Sequence, residues 1–372
     1  MIEIPLKTSV VLIGTVIAQG FFAALLLLIQ QNNLKANKYL GLLLLTFSLW
    51  LCDTFFNIST IYQQNPNFYF LPIYFSLAFG PLVYFYTLAI TDSRFTFSFR
   101  EIGHFLPVLI QASLYVFLQL RDYEFRRWFW LEVHRPITYD LEFNLSLISL
   151  ILYLFLSIRL IVRYQKWLNN HFSEVSKISL NWLKIVQSLM IVMSLLWLAD
   201  LFVREIWQYY ADQRYSAIGM GISILALAAG GLMQANLRLS GFSSETEEKN
   251  PATEVIIDTS LVEKIKTEMA EGEYYLNPDL TLEAFARQLK LPSRLISAQI
   301  NQGFGIPFID FVNQYRVEKV KRHIQDKDLQ HMTLLGIALE SGFNSKSTFN
   351  RVFKKFTGKS PSEYQKLSQN VS

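Results

Sequence analysis

Lys346, Ser347, Asn350, Arg351 and Lys354 recur at the spacing that puts side chains on one face of an α-helix. That face has a definite chemistry. Arginine and lysine donate to O6 and N7 of guanine, asparagine pairs with the N6 and N7 edge of adenine, and cationic residues neutralise phosphates. Upstream, Arg294, Ser297, Ala298 and Asn301 form a second stripe at the same periodicity. Each stripe could read a nucleic acid from a helix lying in a groove. The plain alternative for both is a solvated helix face, and their surroundings decide between the two.

Asp53, Asp200 and Arg204 stand in apolar stretches, where an ionisable group is costly unless it lines a cavity or pairs. They are candidates for an intramembrane ligand pocket. The alternative is that Asp200 and Arg204, one helical turn apart, pair with each other while Asp53 bonds a neighbouring hydroxyl. His104, His134, His171, His323 and His331 are scattered, without the spacing of metal ligands. The single cysteine, Cys52, rules out an intramolecular disulfide and a four-cysteine zinc site. No glycine-rich phosphate loop, nucleophile elbow or His-Glu-x-x-His motif is present, so the expectation is a non-enzyme with no cofactor and no metal.

The elements that must position these residues divide the chain of 372 residues in two. Half of all residues are apolar, at 51%, and the mean hydropathy is positive, which argues for a membrane class. A bilayer core takes about 20 apolar residues per helix. Runs of that kind fall at about 8–30, 39–61, 68–91, 103–120, 142–163, 181–206 and 215–235, predicting a bundle of seven transmembrane helices within residues 1–239. Polar or charged breaks separate them, including the stretch from Arg121 to Asp140. Trp128, Trp130, Trp182, Trp197 and Trp207 suit interfacial anchoring.

With the N-terminus outside, Lys35, Lys38, Arg94, Arg100, Arg163, Lys166, Lys177 and Arg238 lie on the cytoplasmic side, against Arg121, Arg126, Arg127 and Arg135 outside. An odd number of spans then delivers the C-terminal segment to the cytoplasm. Asp53, Asp200 and Arg204 would all lie in the outer half of the bundle.

Residues 240–257 read as a Ser- and Glu-rich linker, and 258–372 as a soluble all-helical domain. Ser260 and Glu263 suggest a capping box for its first helix. A helix from Thr281 buries Leu282, Phe285, Ala286 and Leu289, and the turn Lys290 to Ser293 leads into a helix with Ile296 and Ile300 inward. This is a first helix-turn-helix, at about 281–302. Gly305 and Pro307 then introduce a linking helix with Phe308, Phe311, Val312, Tyr315 and Val320 on its apolar face. The pattern repeats at about 333–356: Thr333 starts a helix, Gly342 turns the chain, and Phe349, Val352, Phe353 and Phe356 face the core of the second reader.

Ile337-Ala338, Gly342-Phe343, Phe349, Arg351, Phe353-Lys354-Lys355, Gly358, Ser360-Pro361 and Glu363-Tyr364 resemble the signature of AraC/XylS-type regulators, over nearly all of Thr281 to Lys366. Gly80 to Tyr86 and His104 to Pro107 are similar to multi-pass bacterial relatives of that family. The resemblance implies two recognition helices, joined by a rigid linking helix, entering successive major grooves on one face of DNA. It assigns Arg294, Ser297, Ala298 and Asn301 to the first reader, and Lys346, Ser347, Asn350 and Arg351 to the second. Ala298 departs from the pattern, since many relatives carry a polar side chain there. Arg351 is also a candidate for a structural arginine that bonds a nearby carbonyl.

The expectation is an all-α, multi-pass inner-membrane protein with a cytoplasmic sequence-specific DNA reader, acting as a one-component sensor of a small-molecule or membrane signal. Its implied partners are double-stranded promoter DNA and the lipid bilayer, with the transcription machinery and a second copy of the chain admitted as further ones. Two competing readings are a transporter or membrane enzyme whose C-terminal helices bind a protein partner, and a passive membrane anchor for the reader.

Overall fold

The computed structural model describes residues 4–5, 7–30, 34–92, 94–173, 181–207, 214–233, 257–325 and 332–371. Among these the chain is helical, apart from turns, loops and one isolated antiparallel bridge between Phe172 and Thr281. It forms two compact units: Met1–Val162 with Leu180–Glu245, and Arg163–Ser179 with Thr246–Ser372. The second unit takes in a stretch, Arg163–Ser179, that hydropathy alone places with the apolar half.

The first unit contains α1 (Thr8–Ile29), α2 (Leu34–Ile58), α3 (Phe79–Thr91), α4 (Leu106–Gln119), most of α5 (Tyr139–His171), α6 (Asn181–Trp207) and α7 (Arg214–Met233). Among the described residues, six helical stretches are long and apolar enough to cross a membrane: Thr8–Ile29, Lys35–Ile58, Phe99–Gln119, Tyr123–His171, Trp182–Val203 and Ser216–Met233. Ser76–Thr91 is a shorter apolar helix.

The central element is α2, which packs against α1, α3 and α7 and buries Leu40, Leu43, Leu44, Phe47 and Leu51. Outward faces are apolar too. Along α5, Ile148, Phe155 and Val162 are 61%, 63% and 61% exposed and form an apolar stripe on its outward face.

Three sequence expectations change here. The run 68–91 is not one helix, because Pro72 cannot donate to a helical ladder and Phe70 takes a left-handed φ of 62°. Phe70 instead packs edge-on against Tyr115 and Phe129. The charged stretch Arg121 to Asp140 is not a loop, since Tyr123–Phe129 is α-helical and Trp130–Thr138 is a π-helix running into α5. Trp197 is not interfacial: it is buried between Trp50, Phe79 and Phe143. Trp182 donates from Nε1 to the Tyr86 hydroxyl at 2.8 Å.

The second unit contains the end of α5 and then α8 (Thr259–Glu271), α9 (Leu282–Leu289), α10 (Ser293–Gly303), α11 (Phe308–Gln325), α12 (Leu334–Glu340), α13 (Lys346–Thr357) and α14 (Pro361–Val371). It has two hydrophobic cores. One gathers Ile265 and Met269 of α8, Leu282, Phe285 and Leu289 of α9, and Ile296 and Ile300 of α10. The other gathers Ile337 and Ala338 of α12 with Phe343, Phe349, Val352 and Phe353. The linking helix α11 serves both, giving Phe308, Phe311 and Val312 to the first and Val317, Val320 and Ile324 to the second.

The N-cap of α8 is Asp258 rather than Ser260. Its carboxylate accepts from the Ser260 and Leu261 amides and also from the Ser260 hydroxyl, so the charged acceptor displaces the neutral one. Glu263 then pairs with Lys266 at 3.6 Å instead of closing a capping box.

At the start of α14, Glu363 does close one: its Oε2 accepts from the Ser360 amide at 2.7 Å and the Ser360 hydroxyl at 2.8 Å. The Ser360 amide, then its hydroxyl, hold the Glu363 carboxyl below the usual carboxylate range. Because the folded value is depressed, the stabilisation is present above the unfolded value, about pH 4.3, and disappears as pH falls through the folded value. Melting curves of the parent and Glu363→Gln should therefore differ at pH 7 and converge in acid.

Candidate nucleic-acid interface

The first reader begins at Thr281, whose hydroxyl accepts from the Ala284 amide at 3.1 Å and caps α9. Lys290, at a left-handed φ of 54°, ends α9 and turns the chain into α10. Ile296 and Ile300 point into the core, which fixes the rotation of α10. Arg294 is consequently exposed, while Ser297, Ala298 and Asn301 are half-buried. Asn301 donates from Nδ2 to the Ser297 hydroxyl at 3.3 Å, so these two side chains engage each other on the same face.

The second reader is built in the same way, with a sharper division. Thr333 caps α12 by accepting from the Gly336 amide at 3.0 Å. Gly342 turns the chain at φ 91°, a conformation that costs a residue with a Cβ. Ser345 caps α13, accepting from the Thr348 amide at 3.3 Å. Phe349, Val352 and Phe353 lock α13 onto its core, and Gly358 closes it at φ 74°. Lys346, Ser347, Asn350, Arg351 and Lys354 are then all exposed on the other face. Neighbouring Lys355 has a different task, binding both carboxylate oxygens of Asp310 at 2.7 Å.

What joins the readers was not apparent from sequence spacing. Arg316 on α11 is fully buried, and its guanidinium works as a hub. Nε donates to the Tyr275 carbonyl at 2.8 Å, Nη2 to the Asn277 carbonyl at 2.8 Å, and Nη1 to Asn313 Oδ1 at 3.4 Å. Ser173 adds its carbonyl, at 3.3 Å from Nη1, and its hydroxyl, at 3.2 Å from Nη2. Gly342 closes against the same loop: a Cβ there would run into the Tyr275 carbonyl oxygen and lie 3.0 Å from Leu276 Cα. Asn344 donates to the Pro278 carbonyl at 3.3 Å and to Asp279 at 3.2 Å.

The loop 275–279 of the first reader is thus clamped between the linking helix and the turn of the second. The one available signal was an arginine at fourfold spacing between Val312 and Val320, on a face otherwise apolar. The buried, carbonyl-bound arginine of this unit is therefore Arg316, while Arg351 is exposed with the rest of its stripe.

Of the residues singled out in the apolar half, Asp53 accepts from the Tyr62 hydroxyl at 2.6 Å. The side chains of Asp200 and Arg204 lie outside the described residues, as do residues 240–256 of the expected linker.

The comparisons with known proteins fall on this same unit. Residues 285–367 match the family described as "Helix-turn-helix domain". A segment of 93 residues, 25% of this chain, is 30% identical to an uncharacterized HTH-type transcriptional regulator of Staphylococcus aureus strain COL, and covers 12% of that protein. A segment of 90 residues is 31% identical to the melibiose operon regulatory protein of Escherichia coli K12, covering 24% of this chain and 29% of that one. The chain thus spans 12% and 29% of the length of these relatives.

Among solved structures, the C-terminal domain of a two-component response regulator from Fusobacterium nucleatum is similar at 29% identity and a TM-score of 0.26, over 29% of this chain and 99% of that one. The C-terminal unit carries a helix-turn-helix domain of the AraC type.

Proposed function

We propose that this chain is a membrane-embedded regulator of transcription, in which α10 and α13 enter successive major grooves of promoter DNA. The observation that carries the reading is the division of α13. Its aromatic face is buried, and Lys346, Ser347, Asn350, Arg351 and Lys354, which could read base edges or neutralise phosphates, stand on the opposite, exposed face. Arg294, Ser297 and Asn301 supply the first reader. With Ala298 offering only an apolar contact, sequence preference is set mainly by the second.

The apolar outward faces of the first unit support a place in the bilayer. Within that unit, Arg126 donates to the Asn67 carbonyl at 3.1 Å, gathering residues 59–75 and 120–138 at one end of the bundle. Lys35 donates to the Phe95 carbonyl at 3.1 Å, which puts Lys35 and Phe95 together at the other. With seven crossings, the second end is cytoplasmic and carries the reader. Arg126 on the outer side is consistent with this, because it is buried and bonded to backbone carbonyls.

Asp53 with Tyr62, and the aromatic residues stacked around them, then face the outer half, where a signal could be received. Asp200 and Arg204 are proposed to share that site. In this reading the chain is a one-component sensor and performs no catalysis.

Binding-site selection with the full chain in lipid nanodiscs tests the reading. Asn350→Ala and Lys346→Ala should each relax preference at one position and weaken the best site by about 5- to 150-fold, the range for one specific base contact. Lys354→Ala should weaken all sequences alike and lower the salt dependence by about one counterion. Unchanged preference in both base-contact variants would remove α13 as a reader.

A further inference from the structure

α5 does not end at a bundle surface. From Arg163 onward it belongs to the second unit, and its last turn passes directly into a strap whose described residues are Phe172 and Ser173. The strap lies along the entry to α9. Phe172 forms an antiparallel bridge with Thr281, the residue that caps α9. Both the amide and the hydroxyl of Ser173 donate to the Leu280 carbonyl, at 3.1 Å and 2.7 Å. On its other side, Ser173 offers its carbonyl and hydroxyl oxygens to Arg316.

Ser173 is buried, with 1% of its surface exposed, and its carbonyl and hydroxyl oxygens are both acceptors of the buried guanidinium. The turn above it is stiff: Trp167 stacks on His171 with ring centroids 4.8 Å apart and meets Phe172 edge-on at 5.7 Å.

We propose that the Phe172–Ser173 strap is a latch on the first reader, and that the groove formed by Leu280, Thr281 and Arg316 is a docking site for this segment of the same chain. A buried guanidinium needs acceptors for its donors, so the docked strap fixes Arg316, and through it the loop 275–279 that leads into α9. When the strap leaves, Arg316 keeps its bonds to Tyr275, Asn277 and Asn313 but loses those to Ser173, and the Leu280 carbonyl is left to water. The first reader then has fewer constraints on its placement relative to α11. The second reader, held by Gly342 and the Phe349–Phe353 core, keeps its own.

Docked and released straps therefore correspond to DNA binding by two readers and by one. Because the strap continues from the last turn of α5, a rotation or shift of that turn acts on it. This inference rests on the reading of α10 and α13 as DNA readers.

The test uses the full chain in nanodiscs with a DNA carrying both half-sites. Ser173→Pro removes the strap's amide donor together with the hydroxyl that donates to Leu280 and accepts from Arg316. It should weaken binding at least about tenfold, the lower end for three net hydrogen bonds, with footprint protection lost over the first half-site and kept over the second.

Hydrogen exchange without DNA gives an independent reading: the Ser173 amide should be protected in the parent, and the Tyr275–Leu280 amides should exchange faster in Ser173→Pro. Failure of the parent to bind DNA would overturn the two-reader reading and this inference with it. Parent binding with an unprotected Ser173 amide, or with equal footprints in parent and Ser173→Pro, would overturn the latch alone.

Discussion

Gly342→Ala is expected to cost the reader unit about 2–5 kcal/mol, a large part of the margin of a small domain. Two effects add. A left-handed φ of 91° is unfavourable for alanine by about 1–2 kcal/mol. The new methyl would also meet the Tyr275 carbonyl and Leu276 Cα, which are backbone and cannot turn aside, so the overlap costs about 1–3 kcal/mol more. Gly305 and Gly358 separate the two effects. Both have positive φ, at 69° and 74°, but open space where a Cβ would stand, so alanine at either should cost only about 1 kcal/mol. Hydrogen exchange of the α12 and α13 amides in the full chain would show the contrast as about two to three decades in rate for Gly342→Ala and less than one for the controls.

Arg316→Ala is the second change with a large effect, at about 3–5 kcal/mol. It removes charge-assisted bonds to the Tyr275, Asn277 and Ser173 carbonyls and leaves those oxygens facing a cavity. Arg316→Lys keeps the charge but has no fork with which to reach three carbonyls in different directions, so it should recover less than half of the loss. The footprint is diagnostic here as well. Both half-sites should weaken, because α11 contributes to both cores. Equal thermal stability of Arg316→Ala and the parent would mean that the buried guanidinium is not the hub of the unit.

Much of the reader is legible in the sequence because its information is local. Thr281, Thr333 and Ser345 each precede an apolar-periodic run and each caps a helix. The inward residues of α10 and α13 recur at helical spacing, which fixes the outward stripe. The cap of α8 is Asp258 rather than Ser260 because the Asp258 carboxylate accepts from the Ser260 and Leu261 amides and starts the helix earlier.

Composition is a weaker guide in the apolar half. The run 68–91 is apolar throughout, but Pro72 and the left-handed Phe70 keep its first part out of the helix. The clamp around Arg316 was beyond any local pattern. Ser173 is 143 positions from Arg316 and 107 from Leu280, and neither a serine nor a carbonyl oxygen announces such a partner. An arginine on an apolar helix face says only that something buried must accept from it.

If one chain places two readers on DNA, DNase footprinting of the full chain in nanodiscs, on its best selected site, should show two protected segments about one helical turn apart on one face of the duplex, with Asn350→Ala weakening only the segment under α13. A single protected segment in the parent, or loss of both segments in Asn350→Ala, would contradict it.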